Sequence, residues 1–382
     1  MADFALKISP NILQGTYSAS RVGQFASRHG TKFMLITDPV LKEVGITSKL
    51  TQSLSDRNLD FFTFDQISRA CDTETIKQAL KLAKEAHIHA VIAAGGGKTL
   101  SLARAVCSLF NESAPLYELI DASTLTSSPL ALISVPTTFR DPFIFSNKIP
   151  VVDARSKRFK LMTTQTESTQ LVIFDSNTSA GLSENQIAST ALETLAIASE
   201  AYLSQRSSFF SDMFAEKSVE LLGRAISGSK TLSMPVSREE LLEQGGCLAS
   251  LAAATSAVGT ASITAYCVNA RFKISRSLVA AILLPYVLED CAKFKCAAVA
   301  KLSLIFGTSQ EGDDQLKAAQ ALAEDIRAQL VKANLPTRLK DLSLSMEDLS
   351  LAAEDAGTLE CINALPKSMT SDDLFDLVKL AY

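Results

Sequence analysis

The sequence contains no tryptophan and only three histidines, His29, His87 and His89, in 382 residues. Because all three precede residue 90, the rest of the chain cannot supply histidine to a metal site or to a proton-transfer pair. A basic excess is also missing, since 37 Lys and Arg stand against 41 Asp and Glu, a net charge of −4. We therefore expect neither nucleic acid nor an anionic membrane as a partner, because both bind basic faces.

Long apolar runs are missing as well. No uncharged apolar stretch reaches the length of about 18 residues that a transmembrane helix needs. The segment MADFALKISPN places an acidic residue early and has no signal-peptide core, so we expect no secretion signal and a cytoplasmic location. The seven cysteines form no CxxC pair, and their odd number argues against a disulfide framework. Buried, reduced thiols are the expected state.

What is present is a globular composition, 47% hydrophobic and 20% charged, at a length that suits two domains. The first part alternates short apolar runs with amphipathic stretches, which predicts buried parallel strands joined by helices. We expect an α/β domain over residues 1–178. The predicted strands are Lys32–Thr37, Asp60–Phe64, His89–Ala94, Pro129–Val135 and Leu171–Phe174.

The second part, residues 179–382, reads as an all-α domain. Long segments rich in Ala, Leu and Ser replace the strand-like runs, and Leu322, Ile326 and Leu330 recur at helical spacing with Pro336 beyond the end. The predicted helical segments are 185–205, 208–228, 239–268, 277–306, 311–333 and 346–356.

The strongest local chemical signal is the turn Gly95-Gly96-Gly97-Lys98-Thr99, which follows a predicted strand and opens a helix. Consecutive glycines at a helix start leave backbone N–H groups open to a phosphate, and Lys98 and Thr99 add a charge and a hydroxyl. The spacing matches neither a Walker A loop nor G-x-G-x-x-G. A structural turn would need about one glycine, so three glycines favour a phosphate or dinucleotide site.

Two further strand ends carry polar side chains. Asp38 follows the first strand, where a carboxylate bonds a ribose 2′-hydroxyl and favours NAD over NADP. The alternative is a turn aspartate before Pro39. Thr137 and Thr138 follow another strand, from which their hydroxyls would reach the adenosine side of a nucleotide; taken alone, this signal is weak.

In this order the segments resemble the iron-containing alcohol dehydrogenases and their relatives, the maleylacetate reductases, glycerol dehydrogenases and, more distantly, dehydroquinate synthases. The resemblance runs along almost the whole chain. It rests on Leu35–Asp38, Ala94–Gly97, Ser134–Thr138, Glu200–Ser204, Ala281–Val287 and Leu335–Leu342.

The resemblance implies a dehydroquinate synthase-like fold: a Rossmann-like nucleotide site on a parallel sheet, followed by an all-α domain. It also implies NAD(P)-linked interconversion of a carbonyl and an alcohol in a cleft between the domains, with NAD(H) as the expected cofactor. A homodimer is a further possibility. In this family one aspartate and three histidines hold a divalent iron or zinc that polarises the substrate oxygen.

The metal ligands are not retained at the matching positions. The family's aspartate falls on Glu193, and its three ligand histidines fall on Ile197, Ser262 and Arg276. The non-ligand histidine credited with proton transfer falls on Tyr266. Isoleucine cannot ligate and arginine repels a dication, so we expect no metal.

The nucleotide side departs from the family as well. The pattern GGGSxxDxAK carries Lys98, Ser101 and Arg104 in place of its serine, aspartate and lysine. The small residues of AGTGSE become bulky over residues 139–144, which predicts crowding beside the nicotinamide.

Three functional hypotheses follow. The first is a metal-independent NAD(H) oxidoreductase in which Arg276, with Arg271 or Lys273, stabilises charge and Tyr266 transfers the proton. The second is a non-redox enzyme of the cyclase or isomerase type that reuses the cleft, and the third is a non-catalytic family member. Arg276 is expected either to pair with Glu193 in a closed site or to anchor an anionic small-molecule substrate.

Overall fold

The computed structural model describes residues 6–67, 70–121, 125–165, 168–227 and 236–382. The chain separates into two compact units, one of Lys7–Gly181 and one containing Leu182–Tyr382. The division lies three residues beyond the boundary expected at 178. The first unit is α/β and the second is helical, so the predicted fold class is confirmed.

The strands of the α/β unit are, within the described residues, β1 Asn11–Gln14, β2 Lys32–Thr37, β3 Asp60–Phe64, β4 Ala90–Gly95, β5 Ala131–Pro136, β6 Lys148–Asp153, β7 Arg158–Thr163 and β8 Thr169–Phe174. Six of them form a parallel sheet in the order β1-β8-β5-β4-β2-β3. A separate antiparallel hairpin pairs β6 with β7. The helices are α1 Val22–Ala26, α2 Val40–Glu43, α3 Ile46–Ser55, α4 Thr73–Glu85, α5 Gly97–Leu109 and α6 Leu116–Asp121.

The central strands are buried on both faces, which is why their sequences are continuous apolar runs rather than alternating ones. All six residues of β4 are buried, and five of the six in β2. Helix α4 starts where the Asp72 side chain accepts the Thr75 backbone N–H at 2.8 Å. The strands β1, β6 and β7 were not predicted, because β1 has only four residues and because β6 and β7 mix polar with apolar residues.

The helical unit consists, among the described residues, of α7 Glu184–Leu203, α8 Phe209–Ser227, α9 Arg238–Thr255, α10 Thr260–Phe272, α11 Arg276–Phe306, α12 Gln315–Lys332, α13 Met346–Gly357 and α14 Ser371–Leu380. The prediction of one helix over 239–268 was wrong. The chain leaves the helix at Ser256 and re-enters at Gly259, which caps α10 in extended conformation. An Ala-rich sequence hides this break because only the single glycine marks it.

Among the described residues no single helix is long and apolar enough to cross a membrane, and only α9 and α10 together, bent by 98°, meet that test. The seven cysteines are all free, and five of them are buried. The expected burial of the thiols is thus seen at these five, whereas Cys296 and Cys361 are only partly buried.

Candidate functional site

The polar strand ends of the α/β unit meet at one edge of the sheet. Strand β4 lies between β2 and β5, with Thr37 opposite Ala94 and Gly95 opposite Pro136. Because the three strands are parallel, the residues that follow them emerge side by side. Asp38, the turn 95–99 and Thr137–Thr138 are thus brought together, as the dinucleotide hypothesis required.

The Asp38 carboxylate is engaged by the glycine turn. Its Oδ2 accepts the Thr99 hydroxyl at 2.8 Å and the Gly96 backbone N–H at 3.2 Å. Its Oδ1 lies 2.8 Å from the Lys98 Nζ. Asp38 is therefore more than a turn residue before Pro39, since it fixes the first turn of α5 and neutralises Lys98. The sequence predicts that Lys98 points to a phosphate, whereas in the structure its ammonium group contacts Asp38.

The glycines of the turn have distinct roles. A Cβ on Gly95 would lie 2.6 Å from both Asp38 Oδ2 and Thr99 Oγ1, so the packing of the turn itself requires this glycine. A Cβ on Gly96 would lie 3.3 Å from Thr138 Cγ2. The buried Thr138 hydroxyl has no hydrogen-bond partner among the described residues. Such a hydroxyl beside a partly exposed glycine fits a site that a polar ligand completes.

Gly97 and Lys98 supply the first N–H groups of α5. The leading N–H groups of a helix have no acceptor within the helix and carry the positive end of its dipole. The residues present therefore fit the diphosphate of a dinucleotide.

Arg104 of α5 holds the segment that follows β5, and its side chain is buried, with 2% exposure. Its guanidinium donates to the carbonyl oxygens of Phe143 at 2.8 Å, Lys148 at 2.9 Å and Ser146. Phe139 and Phe143 are 3% and 4% exposed. The bulky residues of 139–144 are thus packed inside the protein, and an arginine anchors the chain that carries them.

In the helical unit three predicted residues come together. Arg276, the first residue of α11, places its Nε 3.6 Å from Glu193 Oε1 of α7. Its guanidinium carbon lies 4.1 Å from the centre of the Tyr266 ring of α10. Glu193 and Tyr266 are 3% and 6% exposed. The predicted contact between Arg276 and Glu193 is confirmed, and a cation–π contact with Tyr266 accompanies it.

The two other former ligand positions serve the helical packing. Ile197 is fully buried. Ser262 donates its hydroxyl to Glu200 Oε2, and the same carboxylate accepts backbone N–H groups of Gly259 at 3.1 Å and Ala261 at 2.6 Å. Burial raises the pKa of Glu200 to about 7, and the hydrogen bonds from Ser262, Ala261 and Gly259 act in the opposite direction.

The basic residues proposed to assist Arg276 are engaged elsewhere. Arg271 forms a bidentate pair with the buried Asp355, donating through Nε and through Nη2 at 2.9 Å. Lys273 ends α10 in left-handed conformation and donates to the Ala270 carbonyl oxygen at 3.1 Å. Arg271 and Lys273 are therefore engaged at the C-terminal end of α10. Of the three basic residues, Arg276 is the one that contacts Glu193.

Comparison with known protein families shows where this architecture belongs. The family model "Iron-containing alcohol dehydrogenase" matches residues 9–176, and "Fe-containing alcohol dehydrogenase family, C-terminal" matches residues 187–382. The chain belongs to the iron-containing alcohol dehydrogenase family. The resemblance stated from the sequence is confirmed.

Several family members resemble the chain over nearly its full length. It is 24% identical to alcohol dehydrogenase 4 of Saccharomyces cerevisiae over 358 residues, covering 92% of this chain and 91% of that one. It is 22% identical to lactaldehyde reductase of Escherichia coli over 353 residues, 92% of each. The crystal structure of 1,3-propanediol oxidoreductase superimposes with a TM-score of 0.90 at 19% identity, covering 100% of both chains. The structural likeness establishes the dehydrogenase fold.

A divalent metal does not fit the residues at the family's metal position. Glu193 is the one carboxylate there, and a permanently charged guanidinium lies 3.6 Å from it. Among the described residues no cluster of three or more His, Cys, Asp or Glu side chains is placed to hold a metal ion.

Two important residues were missed from the sequence. The sequence shows Glu200 only as part of the family-like segment 200–204, whereas in the structure it caps α10 from α7. The sequence marks Arg104 only as a departure from the family lysine, whereas in the structure it anchors residues 143–148. A charged residue within an otherwise apolar helical run was the available signal, because burial of a charge demands specific partners.

Proposed function

We propose that this chain is an alcohol/aldehyde oxidoreductase that uses NAD(H) and works without a bound metal. Family membership supports the reaction class. The observation that carries the metal-independent part is the guanidinium of Arg276 between Glu193 and the Tyr266 ring. A permanent cation then lies where other members of this family have their metal ligands.

The α/β unit supplies the dinucleotide site of this proposal. The N–H groups at the start of α5 would bind the diphosphate, and Thr137 and Thr138 would contact the adenosine side. Asp38 would orient the ribose while it holds the turn through Gly96. When bound, NADH supplies a hydride to the carbonyl carbon of the substrate.

The helical unit supplies charge and a proton. Arg276 would donate hydrogen bonds to the substrate oxygen as negative charge develops on it. Its distance of 3.6 Å from Glu193 is too long for a hydrogen bond, so guanidinium donors remain for a substrate. Tyr266, held against the guanidinium, would give its phenolic proton to the same oxygen during reduction and recover it from solvent afterwards.

The test is a titration of the full-length chain with NADH by fluorescence, followed by an assay of NADH oxidation with short aldehydes in the presence of a chelator. We expect saturable binding and turnover that the chelator does not reduce. Tyr266→Phe and Arg276→Met are expected to lower kcat by about a hundredfold while NADH binding stays unchanged. Turnover that vanishes with the chelator and returns with zinc or iron would contradict the metal-independent reading.

A second candidate is a family member without catalytic activity. The Glu193–Arg276 ion pair favours it, because an internal pair satisfies both charges without any ligand. The buried Phe139 and Phe143 point the same way, since bulky side chains replace small ones. NADH binding with no turnover of any aldehyde or alcohol would select this candidate over the oxidoreductase.

A further inference from the structure

The pair formed by Lys98 and Asp38 changes the electrostatics of the dinucleotide site. The Lys98 ammonium lies 2.8 Å from Asp38 Oδ1, while Asp38 Oδ2 accepts from the Gly96 N–H and the Thr99 hydroxyl. Donors thus engage both oxygens of one carboxylate. The Lys98 side chain remains 35% exposed, whereas that of Asp38 is 12% exposed.

A carboxylate at this strand end discriminates between dinucleotides by its charge. An unpaired aspartate accepts a hydrogen bond from the ribose 2′-hydroxyl of NAD and repels the 2′-phosphate of NADP. Here Lys98 neutralises the carboxylate, so the repulsion that would exclude a 2′-phosphate is reduced. The NAD preference expected from Asp38 alone therefore does not follow once its partner is known.

Lys98 also has the reach to contact a phosphate directly. An ammonium group has three donors on a flexible four-carbon stem, so one donor can stay on Asp38 while another turns to a phosphate oxygen. The solvent exposure of the side chain leaves room for this movement. Asp38 would keep its bonds to Gly96 and Thr99 throughout, so the turn would not have to open.

We propose that Lys98 makes this site accept NADP(H) as well as NAD(H), by neutralising Asp38 and donating to the 2′-phosphate. The proposal rests on the dinucleotide-binding function proposed above. It assigns the choice between the two cofactors to the pair rather than to the aspartate.

The test uses two fragments that differ only in the 2′-phosphate, 2′,5′-ADP and 5′-AMP, titrated calorimetrically into the full-length chain. We expect the wild type to bind both. Lys98→Ala is expected to weaken the binding of 2′,5′-ADP about tenfold and to change the affinity for 5′-AMP by less than about twofold. The double variant Asp38→Asn/Lys98→Ala is expected to regain part of the 2′,5′-ADP affinity, because it lacks the negative charge at position 38 that would repel the 2′-phosphate.

The matched control is Lys81→Ala, which removes an exposed lysine whose Nζ lies 3.8 Å from Glu85 in the same unit. It is expected to change neither affinity. Equal weakening of both fragments by Lys98→Ala would overturn the proposal, because Lys98 would then contact a phosphate that both share. If the wild type binds 5′-AMP and NADH but not 2′,5′-ADP, the proposal is overturned and the proposed function stays intact. Binding of neither fragment and no NADH would overturn both.

Discussion

At position 276 an arginine replaces a side chain that the family uses to hold a metal, and its neighbours explain how the charge is tolerated. The guanidinium is paired with the buried Glu193 and stacked on Tyr266, so it is not an isolated buried cation. Removing either charge alone would leave the other in a site of low polarity. The two charged residues therefore act as a unit, as buried ion pairs do.

Arg276→Met is expected to lower the free energy of unfolding by about 2–4 kcal/mol, because it leaves Glu193 buried without its cation. Glu193→Gln/Arg276→Met is expected to recover most of this loss. Urea denaturation of the single and double variants measures the coupling as a double-mutant cycle.

The control for this cycle is the exposed pair Arg206–Glu360, whose side chains are 53% and 86% exposed. Arg206→Ala is expected to change stability by less than about 1 kcal/mol. An Arg276→Met variant as stable as the wild type would show that Glu193 has an adequate alternative partner.

Among the secondary-structure elements, α10 shows how one distant residue sets the start of a helix. Glu200 on α7 accepts the N–H groups of Gly259 and Ala261, and a Cβ on Gly259 would lie 2.8 Å from the Glu200 carboxyl carbon. The glycine is therefore required by this close approach. Because α10 carries Tyr266 and Ser262, Glu200 positions both side chains.

This cap predicts a pH dependence of stability. The Glu200 carboxyl has its pKa raised from 4.5 to about 7 by burial, so the folded chain keeps a proton that the unfolded chain loses first. The contribution of Glu200 is therefore fully present below pH 4.5 and is lost as the pH rises through about 7. Its size is on the order of a few kcal/mol.

Glu200→Gln is expected to flatten the part of the stability profile that falls between about pH 5 and 7, because glutamine does not titrate. Urea unfolding at a series of pH values measures the slope. Glu360→Gln, at an exposed position, serves as the control. Identical slopes in Glu200→Gln and the wild type would assign the titration to another group.

The elements also show what the sequence could and could not predict. Strands β2 and β3 were predicted with their observed ends, because each is a short apolar run bounded by polar residues, although only β2 is buried along most of its length. The contact between Glu193 and Arg276 was predicted because both residues fall on metal-ligand positions of the family. The partners of Arg104 and Glu200 were not predictable, since contacts between distant segments leave no periodic signal. The same holds for the pairing of Lys98 with Asp38, which lie 60 residues apart.

For the whole molecule, the two units divide the proposed work: the α/β unit presents the dinucleotide turn and the helical unit presents the ion pair. Because Arg276 and Glu193 pair at the positions of two family ligands, we expect the stability of the chain not to depend on a divalent cation.

Dialysis against a chelator and later addition of zinc or iron(II) are expected to leave the melting temperature unchanged. Differential scanning calorimetry provides the measurement. The matched variant is Glu193→Asp/Ile197→His/Ser262→His/Arg276→His, which restores the family's ligand types at all four positions. It is expected to gain about 2.7 kcal/mol when zinc is present at a hundred times its Kd. Stabilisation of the wild type by zinc would show a metal site that Arg276 does not block.

The guanidinium at position 276 has one consequence for how the protein is made. A cation that belongs to a side chain is specified by a codon, and it enters every copy during translation. Its occupancy is always one per chain, whatever the supply of iron or zinc in the cell, and no delivery protein is needed. Oxidants cannot change its valence, and competing ions cannot displace it. A helical unit assembled around Glu193 and Arg276 is therefore finished when it folds.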